Sequence, residues 1–514
     1  MKPPLHAIGQ IPPRGKSGSF GPGGDSSGWN EKQTTGANIL NAMTSASGTS
    51  TLTQDSPRFT GKELRRKASR ESHADWEPAP GRDPLKILLA QGESRVQDLL
   101  PIRYGRMSAS PFAFYRGGAA IMAADLAHTP ATGVRVQACG DAHISNFGGY
   151  AAPDRKLVFD LNDFDETLPA PWEWDVKRMA ASAAIAAREN GASKKVARRI
   201  VLAGMANYRR VMRELAEKSY LDVWYERLDV ERMIEFLEEE NGTDWGVSLR
   251  RDTRKASRKD SSRAQRKLTE GSAEGEPRFA SRPPLLVPAS ELAASLGVND
   301  IDMIWGYLEQ LMGQYADTLA ADRKYLFEHY EFVDMARKVV GVGSVGTRAW
   351  VLLFISRRRK DPLVLQVKEA QASVLAPYAG ASKYRLQGRR VVEGQRLTQA
   401  ASDLFLGWIR AKGPDGNERD FYIRQLWDGK LSIDIGSLDG LGLTEYVRAC
   451  GGTLALAHAR TGDRVGIADY LGKNDSFDQA IADFSLSYAK QNQEDFKAFT
   501  AEIEAGRIDA TPGI

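Results

Sequence analysis

Apolar positions along the chain change texture twice. The stretch "DPLKILLAQGESRVQDLLPIRYGRM" (83–107) spaces them for one face of a helix. The next, "SPFAFYRGGAAIMAADLAHTP" (110–130), predicts a buried helix that opens at a Ser-Pro signal and closes before Pro130. "GVRVQACGD" and "RKLVFDLND" read as two short strands. From Trp172 to about Lys218 the pattern predicts two helices with small residues at close-packing positions, and helical spacing continues to about 240. "RPPLLVP" marks a loop before a further helical stretch, 299–330.

Near 337 the texture becomes strand-like. "RKVVGVGSVGTRAWVLLFISRRRKDPLVLQVKEA" sets Val, Leu, Phe and Trp around a glycine cluster. A helix-like piece, "RRVVEGQRLTQAASDLFLGW", and another strand, "DFYIRQLW", follow. The chain then returns to helices in "TEYVRACGGTLALAHAR" and "SFDQAIADFSLSYAKQNQEDFKAF". No internal repeat is evident. The expected class is α+β, in four parts: a tail over 1–75, a helical part over 76–330 with a basic insertion at 250–285, a β-rich lobe over 331–430, and a second helical part over 431–514.

Composition narrows the function classes. Residues 1–75 are rich in Gly, Ser, Thr and Pro, too poor in large apolar side chains to offset the entropy of ordering, so a disordered tail is expected. Across the 514 residues, 42% hydrophobic and 26% charged are ordinary values for a soluble globular protein. A net charge of +4 is too small to argue for nucleic-acid binding. No apolar run is long enough for a membrane span, and the N-terminus lacks the apolar core of a secretory signal. Two cysteines, Cys139 and Cys450, make neither a disulfide framework nor a cysteine-based zinc site, and a cytoplasmic location is the default. One segment stands apart: residues 250–267 carry nine Lys or Arg against two Asp, read either as a solvated face or as a patch for an anionic partner.

Two clusters carry candidate chemistry. In "CGDAHISN", Asp141 and Asn146 are five apart, the spacing of the base and the metal-binding Asn in a kinase catalytic loop. Phosphoryl transfer needs such a pair: a carboxylate to take or orient the acceptor proton, and oxygen ligands to hold Mg²⁺ against phosphates. Next, "VFDLNDFDET" offers Asp160, Asp163 and Asp165. A calcium loop is the competing reading, but the spacing does not fit its Asp-x-Asp-x-Asp-Gly pattern.

The second cluster is "GVGSVGTR", with Gly341, Gly343, Ser344 and Gly346. A dinucleotide fingerprint must open a helix, whereas "TRAWVLLFISRRR" reads as a strand, and kinase glycine loops join two strands. Lys368, on the next strand 22 residues beyond Gly346, is then a candidate for the phosphate-binding lysine. Glu393, 25 residues further on a helix, is its candidate carboxylate partner; adjacent Glu369 would face away. Gln425 and Trp427, where a kinase strand reaches the hinge, are candidates to line an adenine pocket.

Gly140, Asp141, His143 and Asn146 resemble the catalytic loop of aminoglycoside- and choline-kinase-like enzymes, with Cys139 where that family usually has His. The resemblance implies a metal-binding Asp followed by an aromatic residue, and a structural Asp about twelve residues later. Asp163, with Phe164 after it and Asp175 twelve residues on, fits better than Asp160, which is fifteen away. His143 and Asp165 then read as supporting, and Asp175 as an acceptor for backbone amides of the loop. Arg116, in "FYRG", is read either as a phosphate contact or as a buried ion-pair partner of Asp125 or Asp175.

The order is reversed relative to a kinase, since Asp141 precedes Gly341 by 200 residues. A circularly permuted two-lobed kinase-like fold, helical catalytic lobe first, reconciles the clusters. The segments "RMSASPFAFYRGGAAIMAADL", "CGDAHISNFG", "FDLNDFDETLPAPWEWDVKRMAAS", "VGVGSVGTRAWVLL", "LQVKEAQASVL" and "YIRQLWDGK" also closely resemble the bacterial DUF2252 family, over roughly 85–490. The expected function is an ATP- and Mg²⁺-dependent phosphotransferase acting on an unknown acceptor, expected to be a small molecule. The alternatives are a nucleotide-binding pseudokinase with a regulatory or scaffold role, and AMP transfer to protein. Expected partners are a nucleotide and that acceptor, with no membrane and no specific nucleic acid.

Overall fold

The structure is a computed structural model and describes residues 59–514 apart from 242, 272–275, 296–300, 359, 414 and 427. The described chain is α+β, as expected.

Its helical core forms around Trp172–Glu189, buried along nearly its whole length. A run of alanines (180, 181, 183, 184) lets neighbouring helices approach closely. Lys194–Ala216, Gly440–Thr461 and Ser476–Glu504 pack around it, so the C-terminal helices share a core with the early ones. Side-chain caps fix several starts: Ser193 accepts from the Val196 amide, and Asp439 from the Gly442 amide. Among the described residues no helix is long and apolar enough to cross a membrane.

Four short strands line the inner edge of this core: β1 (Arg135–Ala138), β2 (Phe147–Ala151), β3 (Leu157–Leu161) and β4 (Leu168–Pro171). β1 pairs with β4 and β2 with β3, both antiparallel. A small hairpin, β5 (Thr269–Gly271) and β6 (Pro277–Phe279), follows. The remaining strands are β7 (Leu286–Pro288), β8 (Tyr330–Lys338), β9 (Ala349–Ser356), β10 (Pro362–Ala370), β11 (Gly407–Lys412) and β12 (Glu418–Gln425). They form one antiparallel sheet in the order β11-β12-β10-β9-β8-β7. Apolar residues of β9, β10 and β12 pack on Leu308, Leu311, Met312 and Tyr315 of the Ile301–Ala316 helix. The Gln387–Thr398 helix lies between β10 and β11 in sequence.

Several expected boundaries move. The helix expected over 110–130 is two, Pro111–Gly117 and Ala119–Leu126, broken at Gly118. The sheet reaches back to Leu286, ahead of the expected start at 331. Residues 59–75, assigned to the tail, include a helix, Gly61–Lys67, opened by a Thr60–Glu63 capping box. That helix buries Leu64, while His73 beyond it bonds the Tyr470 hydroxyl at 2.8 Å. Two anchors and a cap suffice where overall apolar content is low. The tail assignment for 1–58 lies outside the described residues. The basic 250–267 segment is helical, Thr243–Ser257 and Ser261–Leu268, the second capped by Asp260.

Candidate active site

A cleft of about 1150 Å³ lies between the helical core and the six-stranded sheet. Its floor is the loop after β1. Gly140 there has a φ of +81°, and a Cβ would lie 2.4 Å from the Glu166 carbonyl oxygen, so only glycine fits. Asp175, in the first turn of Trp172–Glu189, accepts the amides of Cys139 (2.6 Å) and Gly140 (2.9 Å). One turn on, Arg178 donates through Nε and Nη2 to Asp141 Oδ1, at 2.9 and 2.7 Å. Asp141 Oδ2 lies 3.7 Å from His143 Nε2. Burial pushes the His143 imidazole down to about 4, so it is neutral at pH 7 and supports the loop without charge.

Asn146 ties the two acidic stretches together. Its Nδ2 donates to the carbonyls of Asp141 and Asp163, both at 3.0 Å, which directs the oxygen end of the amide elsewhere. Cys139 donates its thiol to the same Asp163 carbonyl at 3.3 Å. Burial raises that thiol well above its ordinary range, which suits a structural donor.

The roof comes from the sheet. The loop joining β8 to β9 carries Gly341, Gly343, Ser344 and Gly346, all but the last lining the cleft. Three arginines hold its carbonyls: Arg95 bonds Gly343 (2.9 Å) and Val345 (2.5 Å), Arg103 bonds Gly343, and Arg106 bonds Gly341 (2.5 Å).

Lys368 on β10 closes the site. Its Nζ lies 2.6 Å from Asp165 Oδ2 and 3.3 and 3.4 Å from the Asp163 oxygens, residues more than 200 positions earlier. Burial disfavours the ammonium, but the two carboxylates outweigh it and the Lys368 pKa is raised. Asp163 is likewise opposed by burial, yet Lys368 and Arg424 hold it down at about 2. Asp165 moves the other way, raised by burial and by the neighbouring Asp163 charge. Burial also lifts Glu166, which accepts the Val374 amide at 2.7 Å, to about 7.

Among the described residues no group of three or more His, Cys, Asp or Glu side chains could hold a metal ion alone. Mg²⁺ does not require one: it takes one or two protein oxygens and completes its shell with phosphates and water. The donor set fits that use. Asp163 is ionised and 39% exposed to the cleft, Asn146 lines it, and Asp165 Oδ1 is buried with no hydrogen-bond donor.

Two expectations need correction. Glu393 does not meet Lys368; it faces Arg389 and Arg396 of its own helix at 3.8 and 3.7 Å, because Asp163 and Asp165 already balance the lysine. Asp160 is not a cleft ligand: its oxygens accept the amides of Leu161 (2.8 Å) and Ala400 (3.0 Å). Gln425 lines the cleft, and its backbone N–H donates to Asp403 Oδ2 at 2.6 Å. Trp427 lies outside the described residues. Glu369 does turn from Lys368, towards Arg348 and Arg419.

A family profile described as "Uncharacterized protein conserved in bacteria (DUF2252)" matches residues 95–502. The chain belongs to the DUF2252 family. No curated protein and no solved structure matches it. In this DUF2252 chain the matched span holds both the acidic floor and the glycine-loop roof.

Residues not singled out from the sequence include Arg178, Arg95, Arg103, Arg106 and Arg390. Arg178 had a local signal, since it follows Asp175 by three residues and shares its helix face. Arg390 bonds the carbonyls of Asp165, Thr167 and Gln371, each at 2.7 Å, bracing the acidic loop against the segment after β10. No pattern around it announced that role.

Proposed function

We propose that this protein is an ATP- and Mg²⁺-dependent phosphotransferase with a kinase-like site in circularly permuted order. The observation that carries the reading is Lys368 meeting Asp163 and Asp165 under a glycine loop. In kinases the glycine loop joins two strands, the lysine follows on the third, and the metal-binding Asp approaches from the other lobe. The β8–loop–β9–β10 run, followed by the Gln387–Thr398 helix, has that sequence of parts.

In this reading the glycine loop covers the nucleotide phosphates and Lys368 binds them as a point charge. Asn146 and Asp163 hold Mg²⁺, which supplies charge neutralisation between the phosphates when bound. Asp141 orients the acceptor hydroxyl and takes its proton through Oδ2, Oδ1 being held by Arg178. Most of the rate enhancement is positioning and electrostatics. The acceptor is a small molecule small enough to share the cleft with a nucleotide.

A second reading, nucleotide binding without transfer, draws support from the Arg178–Asp141 ion pair, which engages one oxygen of the carboxylate that would act as base. Thermal melts with ATP, with and without Mg²⁺, separate these readings. The phosphotransferase reading expects stabilisation that requires Mg²⁺ and is lost in Asp163→Ala and in Lys368→Ala. No response to ATP in the wild type sinks both. A metal-independent response surviving Asp163→Ala favours the binder.

A further inference from the structure

Arg116 ends the Pro111–Gly117 helix directly beneath the glycine loop. A Cβ on Gly343 would stand 3.2 Å from the Arg116 carbonyl oxygen, so loop and helix end are in near contact. The Arg116 side chain lines the cleft together with Asp141 and Gly343.

Its surroundings leave this half-buried guanidinium only partly satisfied. Nε is buried with no hydrogen-bond acceptor, and among the described residues Arg116 forms no ion pair. Both partners considered from the sequence are taken. Asp125 is held by Arg82 at 2.7 Å and by the Tyr488 hydroxyl at 2.8 Å. Asp175 accepts the amides of Cys139 and Gly140. The carboxylate that attracts it electrostatically is Asp141, whose Oδ1 already carries Arg178.

Neighbouring cations differ in this respect. Arg95, Arg103 and Arg106 are occupied by loop carbonyls, Lys368 by two aspartates, and Arg424 by the Asn162 carbonyl at 2.8 Å. A half-buried cation with no ion-pair partner is a ready site for an anion entering the cleft. Its planar fork of donors matches phosphate oxygens.

We propose that Arg116 is a catalytic residue that binds the phosphoryl group in transit, an arginine supplied by the chain itself between the glycine loop and Asp141. The proposal rests on the phosphotransferase reading. The acceptor oxygen forms a bond to the γ-phosphorus as the bond from that phosphorus to the β–γ bridging oxygen breaks. ADP departs with the electron pair, the acceptor proton passes to Asp141, and the Arg116 N–H groups bind the equatorial oxygens, where charge is spread.

The test compares two ligands by isothermal titration with Mg²⁺ present: ADP, and the non-hydrolysable imido analogue of ATP. Arg116→Met is expected to weaken the analogue about 10- to 100-fold, the worth of a charge-assisted hydrogen bond, while ADP affinity stays within about twofold. Arg116→Lys is expected to recover part of the loss. An equal loss for both ligands, or none for either, overturns the assignment while leaving nucleotide binding intact. A wild type that binds neither ligand overturns the phosphotransferase reading and the assignment with it. If Arg116→Met melts without a cooperative transition, Arg116→Lys decides, with a several-fold loss confined to the analogue expected.

Discussion

The catalytic-loop part of the floor, residues 139–146, is held chiefly by Asp175 and Arg178 within 40 positions, whereas the glycine loop above it is held by arginines 235 to 250 positions earlier. In the floor the polar groups that fix this loop have complements: Asp175 faces two amides, Asp141 faces Arg178, and Asn146 faces two carbonyls. The roof is different. Arg103 is buried and Arg95 half-buried against neutral carbonyls, and neither forms an ion pair among the described residues. The floor therefore contributes to stability as it stands, while the roof stores positive charge that an anionic ligand would relieve.

The comparison breaks most visibly if the floor is not self-supporting. Asp175→Ala removes the acceptor of two buried amides, each costing about 1–3 kcal/mol when left unsatisfied. The expected loss of unfolding free energy is about 2–6 kcal/mol, read from urea denaturation. A loss below about 1 kcal/mol would mean the loop amides find other acceptors, and the contrast with the roof would fall.

A smaller effect tests the seam between floor and sheet, where Glu166 accepts the Val374 amide. Its folded pKa, raised by burial to about 7, lies above the ordinary value of 4.5. Between these values the unfolded chain gives up the proton that the folded chain keeps, so this group's contribution to stability falls as pH rises from about 4.5 to 7. The penalty is then complete at pH 8. Glu166→Gln should remove that slope and gain on the order of 2 kcal/mol on the wild type between pH 4.5 and pH 8. Parallel pH profiles for the two proteins would show that Glu166 ionises freely in the fold.

The same contrast explains what was legible in the sequence. Asp141, Asn146, Asp163 and Asp175 fall within 35 residues, so their spacing carried the floor's geometry into the chain itself. The strands around it were only partly visible, because β2 and β4 are four or five residues long and too short for a clear alternation. β7 is shorter still and joins the sheet from before the region that reads as β-rich. The glycine loop and Lys368 were readable as a strand–loop–strand run. Their clamp was not: Arg95, Arg103 and Arg106 are three of 70 Lys and Arg residues and share no local signature with the loop they hold. Glu393 shows the limit from the other side. Its interval from Lys368 fits a helix partner, but ion pairing is settled in space, and Asp165 arrives from 203 residues away.

The least perturbing change sharpens the comparison furthest. Arg103 is 1% exposed and bonds the carbonyls of Gly343 and Gly117. Arg103→Met leaves Gly343 still bonded to Arg95, at 2.9 Å, and removes a buried cation that has no counter-ion among the described residues. The lost hydrogen bonds and the relieved desolvation oppose each other, so unfolding free energy should change by no more than about 1 kcal/mol in either direction. What should change is the loop: faster amide exchange over 340–347 and, on the phosphotransferase reading, weaker binding of ADP and the imido analogue alike, because Arg103 is engaged by the Gly343 and Gly117 carbonyls. Arg116→Met should discriminate between those two ligands and Arg103→Met should not. A stability loss as large as that of Asp175→Ala would instead place Arg103 with the self-supporting floor, as a structural residue whose charge serves the fold.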